Sequence, residues 1–347
     1  FGSSQLGSRR SLSRFCIESA SVVAASHGTA GRGSTRRGRM TDPLAVLQSA
    51  CISGAATCSA TVFTNPLEVT KTRFQLQGEL GDAKRPYRSI LGCARQIAAT
   101  EGAAGLQKGL LAAWGYQFFG NGIRLALFDH LKAFFNPGGS SVAGALAAGA
   151  SAGVVSTCVA QPFYLIKVRQ QAFGGGLGAQ HEYRSVAHAA QEICGRGRGP
   201  LALWQGLSGA AMRSVVGSSV QLATFESSKR ALVQNGVLAA DNRLGLTVGA
   251  SLLSGLVLTT AMEPFDTVTT RLCNQAAATA PGAGAAAGQA QLYRGALDCI
   301  AKTVRAEGAA GLFKGWASSY VRLGPHTFLM FLFWDGFKAA AEWAKRG

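Results

Sequence analysis

Three stretches decide the fold: Pro66-Leu-Glu-Val-Thr-Lys71-Thr-Arg73, Pro162-Phe-Tyr-Leu-Ile-Lys167-Val-Arg169 and Pro264-Phe-Asp-Thr-Val-Thr269-Thr-Arg271. Their prolines stand 96 and 102 residues apart. Recurrence at a near-constant period marks a repeated supersecondary unit, and missing it would misread the whole chain. Each stretch follows small or apolar residues, at 44–65, 142–161 and 244–263. A run of about 20 such residues is long enough to cross a bilayer as a helix.

Two further markers recur downstream of each stretch. The first begins at Tyr87-Arg88, Tyr183-Arg184 and Tyr293-Arg294, and continues to Glu101-Gly102…Lys108-Gly109, Arg198-Gly199…Gln205-Gly206 and Glu307-Gly308…Lys314-Gly315. The second closes each unit with Phe128-Asp129…Lys132, Phe225-Glu226…Lys229 and Trp334-Asp335…Lys338. Each unit therefore reads as a spanning helix kinked at Pro66, Pro162 or Pro264, a polar loop with a short helix, and a second spanning helix. The expected organisation is an all-α membrane protein of six spans in three tandem hairpins. Its parts are a basic segment at 1–40 and repeats at 41–138, 139–236 and 237–347. The Ala/Gly-rich run 276–291 reads as a loop insertion in the third repeat. Small residues at helical spacing, Gly149 and Gly153, allow close helix contact in the third span.

Composition agrees. Charged residues make up 15% of the 347 and hydrophobic residues 48%, against about 25% charged in soluble domains. The net charge of +17 raises the question of nucleic acid. The basic residues form no stripe interleaved with aromatics, and an anionic substrate among anionic lipids accounts for the same excess. The eight cysteines form no CxxC or Cys/His cluster, so no metal site is expected. No Ser/His/Asp or phosphate-loop arrangement points to an enzyme. Residues 1–40 hold seven arginines and one acid, Glu18. That is the composition of an organelle transit peptide, or of a basic tail.

The tripled motif and its matched downstream markers resemble the mitochondrial carrier family, over Thr41 to about Ala344. The resemblance implies a multi-pass carrier of the mitochondrial inner membrane that works as a monomer by alternating access. It implies cardiolipin at turns such as Trp204–Gly206 and Phe313–Gly315, a small anionic substrate and no cofactor. It also implies two gates. The cytosolic ring is Asp129, Lys132, Glu226, Lys229, Asp335 and Lys338. In the matrix ring Glu68 pairs with Lys167 and Asp266 with Lys71, and the third pair is Tyr164 with Thr269. Both departures fall on one pair and both are neutral, which avoids a stranded buried charge. Gln75 and Gln171 occupy the family's bracing position nine residues after the proline. Cys273 takes that place in the third repeat. A weaker matrix gate is the expectation.

Counting back thirteen residues from each acid of the cytosolic ring gives Tyr116, Arg213 and Arg322, equivalent positions in three repeats. Arg124 lies two turns beyond Tyr116 on roughly the same face. An arginine at mid-membrane is costly and stays charged, and its planar fork suits a carboxylate. The even-numbered spans carry no acid at that depth, so a dianion bridging Arg213 and Arg322 is the expected ligand. Gln117, Asn121, Ser214, Gln221 and His326 are candidate hydrogen-bonding neighbours, although His326, after Pro325, reads equally as a packing residue. Phe63-Thr-Asn-Pro-Leu-Glu68, Asn121-Gly-Ile-Arg124, Val216-Gly-Ser-Ser-Val-Gln-Leu222 and Thr270-Arg-Leu-Cys-Asn-Gln275 are similar to the oxaloacetate-carrier branch of the family. A carrier-fold scaffold that no longer transports, and a proton or fatty-acid uncoupler, are the other readings to weigh.

Overall fold

The computed structural model describes residues 43–79, 87–136, 141–174, 180–195, 199–236, 243–275 and 292–343. The basic segment at 1–40 and the insertion at 276–291 lie outside them. Among the described residues every element is helical. The order is α1 (Pro43–Leu76), α2 (Ile90–Leu106), α3 (Leu110–Phe135), α4 (Val142–Ala172), α5 (Val186–Gly195), α6 (Leu207–Gln234), α7 (Arg243–Asn274), α8 (Ala296–Glu307) and α9 (Trp316–Trp343). Short 3-10 turns precede α6 and α9, at Gly199–Trp204 and Ala309–Phe313.

Consecutive long helices pack side by side, and α9 returns to pack on α1, closing the six into a ring. The three helices that carry the repeated motif, α1, α4 and α7, also touch one another. This is the threefold arrangement that the repeat predicts, with the short helices α2, α5 and α8 between the members of each hairpin.

The glycine markers have a backbone reason. Gly109, Gly206 and Gly315 sit at φ 74°, 82° and 91° immediately before α3, α6 and α9. That left-handed conformation is open to glycine at little cost and disfavoured for residues with a Cβ. Gly102, Gly199 and Gly308 are likewise at φ 72°, 62° and 74°, where the short helices end or turn.

Each proline lies inside a continuous helix. A proline removes the hydrogen bond to the carbonyl four residues earlier, and an orphaned buried carbonyl needs another donor. In the first repeat Gln107 Nε2 donates to Val62 O at 3.0 Å. In the second, Trp204 Nε1 donates to Cys158 O at 2.7 Å. The equivalent third residue is Phe313, which has no donor. There Trp316 Nε1 reaches the Thr260 hydroxyl at 3.0 Å instead.

Among the described residues one helix, Ala143–Ala172, is apolar and long enough to cross a membrane by composition alone. The other long helices fall short because their inward faces carry buried hydroxyls, amides and charges such as Thr57, Thr61, Asn65, Arg271 and Glu263. A helix whose polar face lines a protein interior need not be apolar all round.

Candidate functional site: an arginine cavity above a ring of ion pairs

The last turns of α1, α4 and α7 converge at the centre of the ring. Lys71 Nζ stands 2.6 Å from Asp266 Oδ2, and Lys167 pairs with Glu68. These are the two charged pairs expected of the matrix ring. At the third place, Thr269 donates back to Phe265 O in its own helix at 2.6 Å. Tyr164 packs against Tyr116 in a tilted arrangement, ring centroids 5.1 Å apart and planes at 56°, and both Lys167 and Arg213 lie over its face. Two seams are thus held by ion pairs, whereas the aromatic and cation–π contacts of Tyr164, each worth about 0.5–2 kcal/mol, are made to residues of the first and second repeats and not to Thr269.

Arg213 and Arg322 are not left without acids. Arg213 reaches Asp266 Oδ1 at 3.4 Å, and Arg322 reaches Glu68 Oε1 at 3.0 Å. The expectation of acid-free arginines considered only the even-numbered spans, whereas these carboxylates come from α1 and α7. Glu68 and Asp266 are therefore each shared by two cations, a lysine of another repeat and an arginine. Arg213 also donates to the Tyr116 hydroxyl at 2.6 Å. Among the described residues, the buried Nε–H of Arg213 and that of Arg322 have no protein acceptor.

A cavity of about 140 Å³ opens beside Arg213, between α3, α4, α6 and α7. Of the residues singled out from sequence, Tyr116, Gln117, Asn121, Arg124, Arg213 and Ser214 line it, together with Ser156, Thr157 and Ser218. Arg322 and His326 are not among its walls. His326 Nδ1 instead lies 3.1 Å from the Thr64 hydroxyl of α1. The cavity unites Arg124 with Arg213, rather than Arg213 with Arg322. It carries no acidic side chain in its lining.

Of the cytosolic ring, the side chains of Asp129, Glu226, Lys229 and Asp335 lie outside the described ones, as does that of Gln221. Lys338 is exposed, and Lys132 lies over the Phe128 ring.

Gln75 and Gln171 do not bond the bridges directly. Gln75 Nε2 donates to Glu263 Oε1 at 3.0 Å, and Gln171 Nε2 to Asn65 Oδ1 at 3.1 Å. In the third repeat Gln161 Nε2 lies 3.6 Å from Cys273 Sγ. The position nine residues after one proline thus meets the residue just before the proline of another repeat. Sequence reasoning passed over that pre-proline position. Set side by side, Asn65, Gln161 and Glu263 show a single acid in an otherwise neutral triplet, and that was the available signal.

The arginine that ends each motif is buried and ties the repeats together through main chain. Arg73 donates to Gln171 O, Arg169 to Cys273 O and Arg271 to Gln75 O, at 3.0–3.2 Å. Arg73 and Arg271 then fork onto Glu101 and Glu307, which also hold Lys108 and Lys314. Burial opposes ionisation of Glu101, but hydrogen bonds from Arg73 and Lys108 prevail and lower its pKa below the ordinary carboxylate value. In the second repeat the fork is neutral: Arg169 uses the Tyr183 hydroxyl and Gln205 Oε1, both at 3.0 Å.

Comparison with known proteins agrees with this architecture. The family profile described as "Mitochondrial carrier protein" matches three times, at residues 42–139, 138–236 and 241–343. Solute carrier family 25 member 35 of Homo sapiens is 42% identical over 294 residues, 82% of this chain and 95% of its own. The mitochondrial oxaloacetate transport protein of Schizosaccharomyces pombe is 36% identical over 81% of this chain and 86% of its own. Mitochondrial citrate transporter E of Aspergillus niger is 33% identical over 80% and 87%. Three profile matches in tandem, on a ring of six helices built from three proline-marked hairpins, show that this chain belongs to the mitochondrial carrier family and is a multi-pass transporter of the inner membrane, not an enzyme.

Proposed function

We infer that the chain carries a small dicarboxylate or a related dianion of the oxaloacetate type, bound first in the cavity beside Arg213. One observation carries this reading: two arginines, Arg124 and Arg213, line a cavity of about 140 Å³ whose remaining walls are hydroxyls, amides, small residues and Met262, with no acid among them. That volume is below the several hundred Å³ usual for larger ligands, and it suits an anion of a few carbons. Ser156, Thr157, Ser214 and Ser218 offer hydroxyls to carboxylate or keto oxygens. Relatives named as an oxaloacetate transport protein and a citrate transporter support a carboxylate substrate.

The shared acids suggest how binding drives transport. A carboxylate arriving at Arg213 competes with Asp266 for the same guanidinium, and one at Arg322 competes with Glu68. The free Nε–H of each arginine gives the incoming anion a foothold before the acid is displaced. Each gate acid then keeps one cation in place of two, and the matrix gate loosens. A ligand shifts a conformational equilibrium only through differential affinity. Here that difference arises because the arginines are freed from the gate acids only as the gate opens.

The test is uptake of labelled oxaloacetate, malonate, malate and sulfate into liposomes containing the purified protein, with Arg213→Ala and Arg322→Ala beside it. Saturable uptake whose half-saturation concentration either substitution raises by about tenfold or more supports the reading. Folded protein that moves none of these anions refutes it and favours a different substrate or a non-transporting scaffold.

A further inference from the structure

Glu263 is fully buried, at 0% exposure, and the carrier mechanism above does not use it. It lies one turn before Asp266 on α7. Lys71 of α1 faces both carboxylates, 2.6 Å from Asp266 and 3.8 Å from Glu263. Asp266 has Arg213 as a second cation, and Glu263 has no other among the described residues. From α1 the Gln75 amide donates to Oε1 at 3.0 Å. From α9 the Ser319 hydroxyl donates to Oε2 at 2.7 Å. Lys314, in the turn before α9, is directed to Glu307 and to the carbonyls of Gln77 and Gly78. Arg322, one turn along α9 from Ser319, is engaged with Glu68.

We propose that Glu263 is a proton-binding site coupled to the matrix gate, so that opening towards the matrix takes up one proton and closing releases it. The proposal rests on the reading of α1, α4 and α7 as that gate. Three features carry it. First, the partners of Glu263 divide by repeat. Lys71 and Gln75 belong to the first repeat, whereas Ser319 and Asp266 belong to the third with Glu263 itself. Parting the first and third repeats removes the cation and one donor, and leaves two carboxylates a turn apart. A proton from matrix water is the smallest cation that restores the balance; on closure Lys71 returns and the proton leaves.

Second, the site accommodates either protonation state without rearrangement. Ser319 Oγ is within 3.3 Å of Gly315 O as well as 2.7 Å of Glu263 Oε2. With the carboxylate ionised, the serine donates to it. With the carboxyl protonated, Oε2–H donates to Ser319 Oγ and the serine hydroxyl turns to Gly315 O. Third, the two equivalent residues are permanent neutral counterparts. Asn65 Nδ2 donates to Leu106 O and Lys108 O, and Gln161 Nε2 to Gln205 O. A neutral group at this place is therefore compatible with the fold.

The experiment compares full-length wild type with Glu263→Gln, which installs the residue of the second repeat, in liposomes held at the same pH on both sides. The expected wild-type exchange rate rises on acidification, with a slope of up to about tenfold per pH unit for one titrating group. Glu263→Gln is expected to be flat across the same range. Glu263→Asn, the residue of the first repeat, serves if the glutamine variant does not fold. A variant that keeps the wild-type pH profile overturns the proposal. If no tested anion is transported, the function proposed above fails, and infrared spectroscopy decides this proposal separately. A protonated-carboxyl band that grows in wild type on acidification and is missing in Glu263→Gln supports it; identical spectra overturn it.

Discussion

The neutral third seam invites a repair. Replacing Tyr164 by Asp and Thr269 by Lys would give it the ion pair that the other two seams possess. The effect can be worked out from the surroundings. Thr269 is fully buried and packs tightly on Gly209, where a Cβ would stand 2.9 Å from the threonine hydroxyl, so a lysine at 269 has to extend away from α6 to fit. Thr269→Lys alone places an ammonium where no acid faces it, at a cost of about 3–5 kcal/mol. Tyr164→Asp alone gives up the aromatic contact with Tyr116 and the cation–π contacts, about 1–3 kcal/mol in sum. It gains the company of Lys167 and Arg213, which already lie 5.7 and 5.6 Å from the tyrosine ring centroid. Together the two new charges meet each other, and the coupling between them is expected at about 1–3 kcal/mol. Thermal unfolding of the four proteins in the cycle measures it directly: the aspartate should rescue the lysine. Substrate exchange by the same proteins reads the gate. A third latch of that strength is expected to slow exchange by about five- to 150-fold where opening limits the rate. Additive losses in the cycle, or an unchanged exchange rate in a folded double variant, would refute the reasoning.

Other outcomes follow from the same geometry. Arg213→Ala removes a charged hydrogen-bond donor from the cavity, and half-saturation should rise by about ten- to 150-fold for a loss of 1.5–3 kcal/mol; tracer competition checks it. Glu307→Gln leaves the fully buried Arg271 without its carboxylate fork, and should destabilise the protein by about 3–5 kcal/mol, read as a fall in melting temperature. Glu101 is held below its ordinary pKa in the folded protein. Its contribution to stability is thus present above the unfolded value and lost as pH falls through the folded one. Glu101→Gln should therefore flatten the acid limb of a melting-temperature profile, in the pH range below the ordinary carboxylate value.

How far the sequence could be read depended on whether a contact repeats. The hairpin plan was legible because the proline motif, the glycine turns and the terminal acid–lysine pairs each occur three times. The pairs Lys71–Asp266 and Glu68–Lys167 followed from the family pattern. The partners of Arg213 and Arg322 did not. Reading each span by itself, nothing indicates that Asp266 and Glu68, on α7 and α1, meet arginines on α6 and α9. The roles of Gln75 and Gln171 shifted for a related reason: nine residues past the proline, the side chain faces the pre-proline residue of another repeat rather than the bridge beside it. Hydropathy was the weakest guide, because a helix that turns threonines, amides and a glutamate inward scores as too polar to span. Glu263 was visible in the row of letters and became meaningful only with Lys71, Gln75 and Ser319 around it.

The arginines that close the three motifs have one more implication. Each is aimed at a neighbouring repeat's main-chain carbonyl, nine residues past that repeat's proline, and every amino acid presents the same oxygen there. Natural variation at this position is therefore decoupled from cohesion of the ring. Position 273 holds a cysteine where 75 and 171 hold glutamine, yet Arg169 grips its carbonyl at 3.0 Å. The assembly can retune the side chains of its gate one seam at a time while the girdle beneath them stays threefold.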